Sequence, residues 1–238
     1  GDAGGDAGRG RSGGGTRRVA VTGARAPVSV DGAGRAVDAP FDVRPGQTIE
    51  IGAATAGARI YVAVSGGIDC PPVLGSRSTD LLSGLGPPPL AEGQRLALGA
   101  DVDVVGAVDV APVRSLPPRP VLRVSPGPRA EWFAPDAFAR LVGEEWTVLP
   151  DSNRIGVRLD GSVLTRAVAT ELPPEGLVAG SLQVPAAGTP VLFLNDHPVT
   201  GGYPVLAVVS DADLDLAAQL APGVRLRFAR TPTARMAR

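Results

Sequence analysis

The stretch PVLFLNDHPVTGGYP (residues 190–204) runs from an apolar segment through a polar loop into a second apolar segment. A short run of Val, Leu and Phe has the length and composition of a β-strand. It ends in Asn195, Asp196 and His197; Thr200, Gly201 and Gly202 follow, and Tyr203 leads into YPVLAVVSD (203–211), a second strand. Working outward, IGVRLDG (155–161) and SLQVP (181–185) read the same way. So do RRVAVTG (17–23), PGQTIEIG (45–52) and RIYVAVSGG (59–67), the last bounded by Gly66-Gly67, where positive φ is tolerated. PVSVDGAGRAV (27–37) alternates about Asp31-Gly32, a hairpin signal.

One pattern recurs: PGQTIEIG (45–52), EGQRLALG (92–99) and PGVRLRFA (222–229) each place a glycine turn before alternating apolar and polar residues. The repeat predicts three equivalent strands closing similar β-units. The Pro-rich segment PVRSLPPRPVLRVSPGP (112–128) is the candidate boundary. It divides the chain into a first β lobe, 16–116, and a second, 117–230, flanked by a Gly-rich tail at 1–15 expected to be disordered and a tail at 231–238. APDAFARLVGEEW (134–146) reads as a helix with Pro135 in its first turn, and DADLDLAAQL (211–220) as a second with an acidic start. The sum is mainly β with a few short helices, and closed barrels suit it because they remove sheet edges.

Composition narrows the chemistry. All 23 basic residues are Arg, so no Walker-type lysine, Schiff-base lysine or biotinylated lysine exists in the chain. Formal net charge is −1, which gives no electrostatic case for nucleic acid or anionic lipid as partner. Cys70 and His197 are the only residues of their types, so the chain forms no internal disulfide and no two-histidine metal site. No metal site is expected. One unbridged thiol, no apolar run long enough for a span and no signal-peptide pattern lead to the expectation of a cytoplasmic protein.

Four polar clusters lie on loops beside strands. In GGIDCPPVLGSRSTDLLSGLG (66–86), Arg77 suits a bidentate clamp on a carboxylate or phosphate, with Ser78 or Thr79 orienting the anion; a helix N-cap at Ser78 is the plainer account. In PDSNRIGVRLDG (150–161), Asp151, Ser152 and Asn153 are turn formers, while Arg154 with Gly156 permits close approach of a ligand. In TELPPEGLVAGSLQVP (170–185), Glu175 stands between Pro174 and Gly176 on a stiff turn, where a buried carboxyl would serve as general acid or base and an exposed one would be mere turn chemistry; Gln183 lies in the next strand. In 190–204, adjacent residues on an extended chain face opposite ways, so Asp196 and His197 are not expected to touch, and backbone N–H groups of Thr200, Gly201 and Gly202 could surround an oxyanion. Cys70, between Asp69 and Pro71, has nothing to activate it and is expected to be a small buried residue.

Taken in order, AVSGGIDCPPVLGSRSTDLL, SNRIGVRLDG, ELPPEGLVAGSLQVP and LFLNDHPVTGGYPV resemble the biotin-dependent carboxyltransferase-like (AHS2-type) family over roughly residues 16–230. That family includes the C component of 5-oxoprolinase, the KipA-like proteins and the carboxyltransferase region of urea carboxylase. The resemblance implies a cyclophilin-like β-barrel fold in two lobes, a partner homologous to the B component of 5-oxoprolinase and a lactam-binding subunit. It implies ATP with Mg²⁺ as cofactor and ATP-dependent opening of 5-oxoproline (pyroglutamate) to glutamate. Relatives usually begin with a Thr-x-Gln-Asp-x-Gly-Arg type motif; here a Gly-rich stretch stands in its place, as truncation, a misassigned start or a lost part of the site would each produce.

A lactam amide resists hydrolysis because its carbonyl is a weak electrophile and its nitrogen leaves poorly. Phosphorylating the carbonyl oxygen relieves both difficulties, and cations must then meet the developing charge. Arg77 and Arg154 are the candidates, with Glu175 or Asp196 positioning water or accepting a proton. Two rival functions use the same residues: transfer of CO₂ from carboxybiotin on a separate carrier to a urea-like nitrogen, and non-catalytic KipA-like regulation of a partner.

Overall fold

The computed structural model describes residues 15–100, 110–112 and 116–232. The expectations for the Gly-rich start and for residues 233–238 lie outside the described residues.

Six strands come first: β1 (Arg17–Arg25), β2 (Val28–Val30), β3 (Ala33–Arg35), β4 (Pro40–Val43), β5 (Ile49–Ile51) and β6 (Ala56–Val64). They form two three-stranded sheets, ordered β4-β1-β6 and β3-β2-β5. The β2–β3 hairpin turns at Asp31 and Gly32, with φ of 48° and 77°, the paired positive values a two-residue hairpin needs. Asp31 further braces this turn by accepting from the Gln47 side chain and the Thr48 N–H, both at 2.9 Å. Val19, Val21, Ala24, Val28 and Val30 are buried, while Tyr61 and Val62 of β6 remain exposed.

The remaining strands are β7 (Val121–Pro126), β8 (Glu145–Val148), β9 (Gly156–Asp160), β10 (Glu175–Gly176), β11 (Ser181–Gln183), β12 (Val191–Phe193), β13 (Thr200–Gly201), β14 (Val205–Val209) and β15 (Arg225–Arg230). Seven of them close into a barrel, β11-β12-β9-β8-β15-β7-β14, and β10 pairs with β13 beside it. Only the β15–β7 pair within the barrel is parallel. Closure leaves no free edge, and the main core fills the barrel, with Trp146, Phe228, Leu122, Leu159 and Leu206 almost wholly enclosed. Trp146 satisfies its indole N–H on the Leu141 carbonyl at 3.0 Å, as a buried donor must. The fold is mainly β, as expected from the sequence.

Both helices are shorter than the sequence suggests. Helix α1 (Ala137–Gly143) covers the middle of 134–146, because Glu144 is already extended and Glu145 enters β8. Helix α2 (Asp211–Ala217) follows the Ser210 N-cap. Its Asp213 is buried against β7, taking bonds from the Arg123 N–H at 2.7 Å and guanidinium at 2.9 and 2.6 Å.

The middle copy of the repeat does not form a strand. PGQTIEIG contains β5 and PGVRLRFA contains β15, but EGQRLALG makes only an isolated bridge, Ile68 with Leu98. A strand needs a neighbour along its length, and Leu96 and Leu98 lie on a half-exposed loop without one among the described residues. The Ser78 N-cap reading also falls, because turns rather than a helix follow it, and Asp80 is the residue that caps them through the Leu82 N–H and Ser83 hydroxyl.

Candidate functional site

The site begins at the turn before β9. Asn153 folds its side-chain oxygen back to accept from the N–H groups of Ile155 at 2.8 Å and Gly156 at 3.2 Å. This Asx turn sends residue 154 outward while the chain re-enters the barrel. Arg154 then meets two partners from different parts of the molecule. Its Nε lies 3.0 Å from Asp196 Oδ2, beyond the end of β12, and its Nη2 donates at 2.7 Å to the Thr79 carbonyl in the amino-terminal loop. Thr79 is itself fixed by donating its hydroxyl to the Pro87 carbonyl at 2.8 Å.

Both signs of charge meet at this junction, Arg59 and Arg154 with Asp80 and Asp196. The Asp80 carboxyl is held below the usual carboxylate range, first by the Ser83 hydroxyl and then by the Leu82 N–H, with Arg154 contributing its charge. Arg59 stands close by. Burial draws its pKa down from the ordinary arginine value; Tyr61 and Asp196 oppose that and Arg154 adds to it. Arg154 keeps 46% of its side-chain surface exposed, so a ligand can reach the guanidinium.

Beside the junction lies a cavity of about 520 Å³, lined among others by Asn153, Arg158, Gln183, Gly201, Gly202 and Tyr203. Gln183 is buried on β11 and donates at 2.8 Å to the Tyr203 carbonyl. Gly201 is required there for space, since a Cβ would sit 2.6 Å from Gln183 Nε2. Thus Asn153, Gln183, Gly201, Gly202 and Tyr203, from three sequence clusters, share one cavity, and Asn153 links it to Arg154, Asp196 and Thr79.

Other residues fall elsewhere. Arg77 and Ser78 line a separate cavity of about 410 Å³ with Gly66, Gly67, Asp69 and Gly99, and Arg77 Nε donates to the Cys70 carbonyl at 2.8 Å. Cys70 itself is half-buried rather than buried. His197 Nδ1 lies 2.7 Å from the Pro198 carbonyl, and no hydrogen bond or ion pair joins it to Asp196; β12 has ended at Phe193 and residues 195 and 196 form a turn, so strand alternation is not what separates the two. Thr200 and Gly201 pair with Gly176 and Glu175 through their backbones. Glu175 is not an isolated buried carboxyl: a third of its side chain is exposed and Arg129 pairs with it. Sequence reasoning does not single out Arg59, Arg129 or Arg158. An arginine in a strand, as Arg59 and Arg158 are, or in a turn after one, as Arg129 is, carries no signal of what lies across the fold from it.

With this geometry in place, comparison with known proteins identifies its class. The profile for the carboxyltransferase domain, subdomains A and B, matches residues 13–230, and the chain belongs to that family. Within it, the chain is 38% identical over 192 residues to the C component of the 5-oxoprolinase of Escherichia coli K12, covering 78% of this chain and 60% of that protein. It is 30% identical to the urea amidolyase of Saccharomyces cerevisiae over 88% of this chain and 13% of that protein. The crystal structure of TTHA0988 superposes with a TM-score of 0.79 at 33% identity, covering 91% of this chain and 42% of that one. The chain therefore spans about three-fifths of the length of the first of these relatives.

Proposed function

We propose that this chain is one component of an ATP-dependent 5-oxoprolinase, acting with a homologue of that enzyme's B component and a lactam-binding subunit to open 5-oxoproline to glutamate. The observation that carries the reading is Arg154, set between Asp196 and the Thr79 carbonyl and next in the chain to Asn153, which lines the cavity that holds Gln183. The 38% identity to a named 5-oxoprolinase component favours this chemistry over others the family supports.

In this reading the nucleotide supplies a phosphoryl group for the lactam carbonyl oxygen. Arg154 stabilises the anionic oxygens, and Arg77 serves a second anion from its own cavity. The residues present suit that task in part: Arg77 lines one open cavity, Arg158, Gly201 and Gly202 line the other, and Arg154 keeps nearly half of its side chain exposed. Mg²⁺ enters with the nucleotide; among the described residues no group of three or more His, Cys, Asp or Glu side chains gathers to hold it. Asp196 orients Arg154 and is placed to accept a proton at its second oxygen. We place the division between the lobes at 116 and 117 and the protein in the cytoplasm. No helix among the described residues is long and apolar enough to cross a membrane.

Transfer of CO₂ to a urea-like nitrogen is the second reading, favoured by the likeness to urea amidolyase. The experiment is glutamate release from 5-oxoproline and ATP by this chain mixed with its B-type and lactam-binding partners. Turnover requiring all components supports the first reading. Failure there, with carboxylation of urea when a biotinylated carrier is supplied, replaces it with the second.

A further inference from the structure

The two halves of the molecule are joined by a side chain that fits a prepared opening. The register of β1 on β6 shifts between Gly23, paired with Ile60, and Arg25, paired with Ala56; Gly23 and Gly57, which lies in the irregular stretch of β6, both have positive φ, 96° and 86°. A Cβ on Gly57 would lie 2.8 Å from Gln219 Oε1, and one on Gly23 would collide with the Arg59 carbonyl and lie 3.2 Å from Gln219 Nε2. The two glycines keep open a slot that any other residue would close.

Gln219, just past α2, fills the slot. Its Oε1 accepts from the N–H groups of Ala58 at 2.9 Å and Arg59 at 3.0 Å, and its Nε2 donates to the Arg59 carbonyl at 3.0 Å. One primary amide thus satisfies three backbone groups of β6, much as a neighbouring strand would. Arg59 reaches back the other way. Its guanidinium donates to the Ala218 carbonyl and, at 2.7 Å, to the carbonyl of Asn153, the residue before Arg154.

We propose that Gln219 and Arg59 are positioning residues, which set the two halves in register and so hold the Arg154 guanidinium between Asp196 and the Thr79 carbonyl. Arg154 takes one partner from each half, at 3.0 and 2.7 Å, so a relative shift of an ångström breaks one bond or the other. Misplacement on that scale costs on the order of a hundredfold in rate. The effect on activity rests on the proposed oxoprolinase reading; the geometric coupling stands on its own.

The test compares the wild-type chain with Gln219→Ala, Gln219→Glu and Gly57→Ala. Gln219→Glu keeps volume and acceptors, loses the Nε2 donor and sets a carboxylate against the Arg59 carbonyl. Gly57→Ala closes the slot without altering the amide. Amide hydrogen exchange over residues 153–156 is read on the chain alone, and kcat and KM are read in the assembly with its partners. Exchange in that turn is expected to rise at least tenfold in all three variants. Turnover is expected to fall tenfold or more, mainly in kcat, with Arg59→Lys recovering part of what Arg59→Ala loses. Unchanged exchange in folded Gln219→Glu and Gly57→Ala overturns the inference, whether or not the assembly is active. Faster exchange with unchanged kcat and KM in an active assembly overturns the positioning role. An inactive wild-type assembly sinks the oxoprolinase reading instead, and the exchange result still decides the geometric claim.

Discussion

Arg129 holds Glu175 by both carboxylate oxygens, with Nε 3.1 Å from Oε1 and 3.2 Å from Oε2 and Nη2 also on Oε1. The same guanidinium stands 6.0 Å from the centre of the Trp132 ring, within reach of a cation–π contact. Glu175 pairs in register with Gly201, so this ion pair fixes the strand that borders the Gln183 cavity. Two residues that act through one pair give losses that overlap rather than multiply. Glu175→Gln and Arg129→Gln should each lower turnover by a similar factor, and the double variant should fall little further. A much larger loss in Glu175→Gln than in Arg129→Gln would make Glu175 an independent acid or base.

Gly201 is the most restrictive position in the cavity. A methyl group there would press on Gln183 Nε2 and on Leu177, 2.8 Å away. Gly201→Ala is expected to swing Gln183 off the Tyr203 carbonyl and reduce turnover at least tenfold, while the thermal midpoint moves only a few degrees. Wild-type kinetics in this variant would remove Gln183 from the site.

Asp213 gives the fold a pH dependence of known sign. Its carboxyl is held below the usual carboxylate range, chiefly by the Arg123 side chain and also by the Arg123 N–H, against the opposing push of burial. A carboxyl depressed in the folded state stabilises the fold at pH above its unfolded value, about 4. That contribution is lost as pH falls through the lower, folded value. Thermal midpoints measured from about pH 6 down to about pH 3 should therefore drop more steeply for the wild type than for Asp213→Asn. Parallel curves would mean the pair contributes nothing to acid sensitivity.

Trp146 anchors the barrel core. Truncation to alanine is expected to cost about 3–5 kcal/mol, since it opens a large cavity and strands the Leu141 carbonyl. Gly161→Ala should destabilise the same place from outside, because a Cβ would meet the Trp146 ring at 2.6 Å. Urea unfolding midpoints measure both, and an unaffected Gly161→Ala would show that the ring has room to shift.

The parts of the fold legible in the sequence are those dictated locally. Asp31-Gly32 announces its hairpin because two adjacent positive φ values admit few residues. VLAVV announces β14 because an unbroken apolar run must be buried, and Val205, Leu206, Ala207 and Val209 are. EGQRLALG carries the same local pattern as its two counterparts and fails as a strand, since pairing depends on what lies alongside. The site divides in the same way. Arg154, Asp196, Gln183 and Gly201 stand out as polar or flexible residues beside apolar strands. Gln219 does not, because a glutamine near a helix end resembles any solvated one until Gly23 and Gly57 are seen to make room for it.

Above all, Arg154 is assigned the anionic charge of the reaction. Its most direct test is the rate of glutamate release from 5-oxoproline and ATP by the assembled subunits, with the wild-type chain and with Arg154→Ala. An active wild type is expected, with a loss of about a hundredfold or more in the variant while circular dichroism and partner binding stay unchanged. An Arg154→Ala assembly that turns over at the wild-type rate would contradict that assignment.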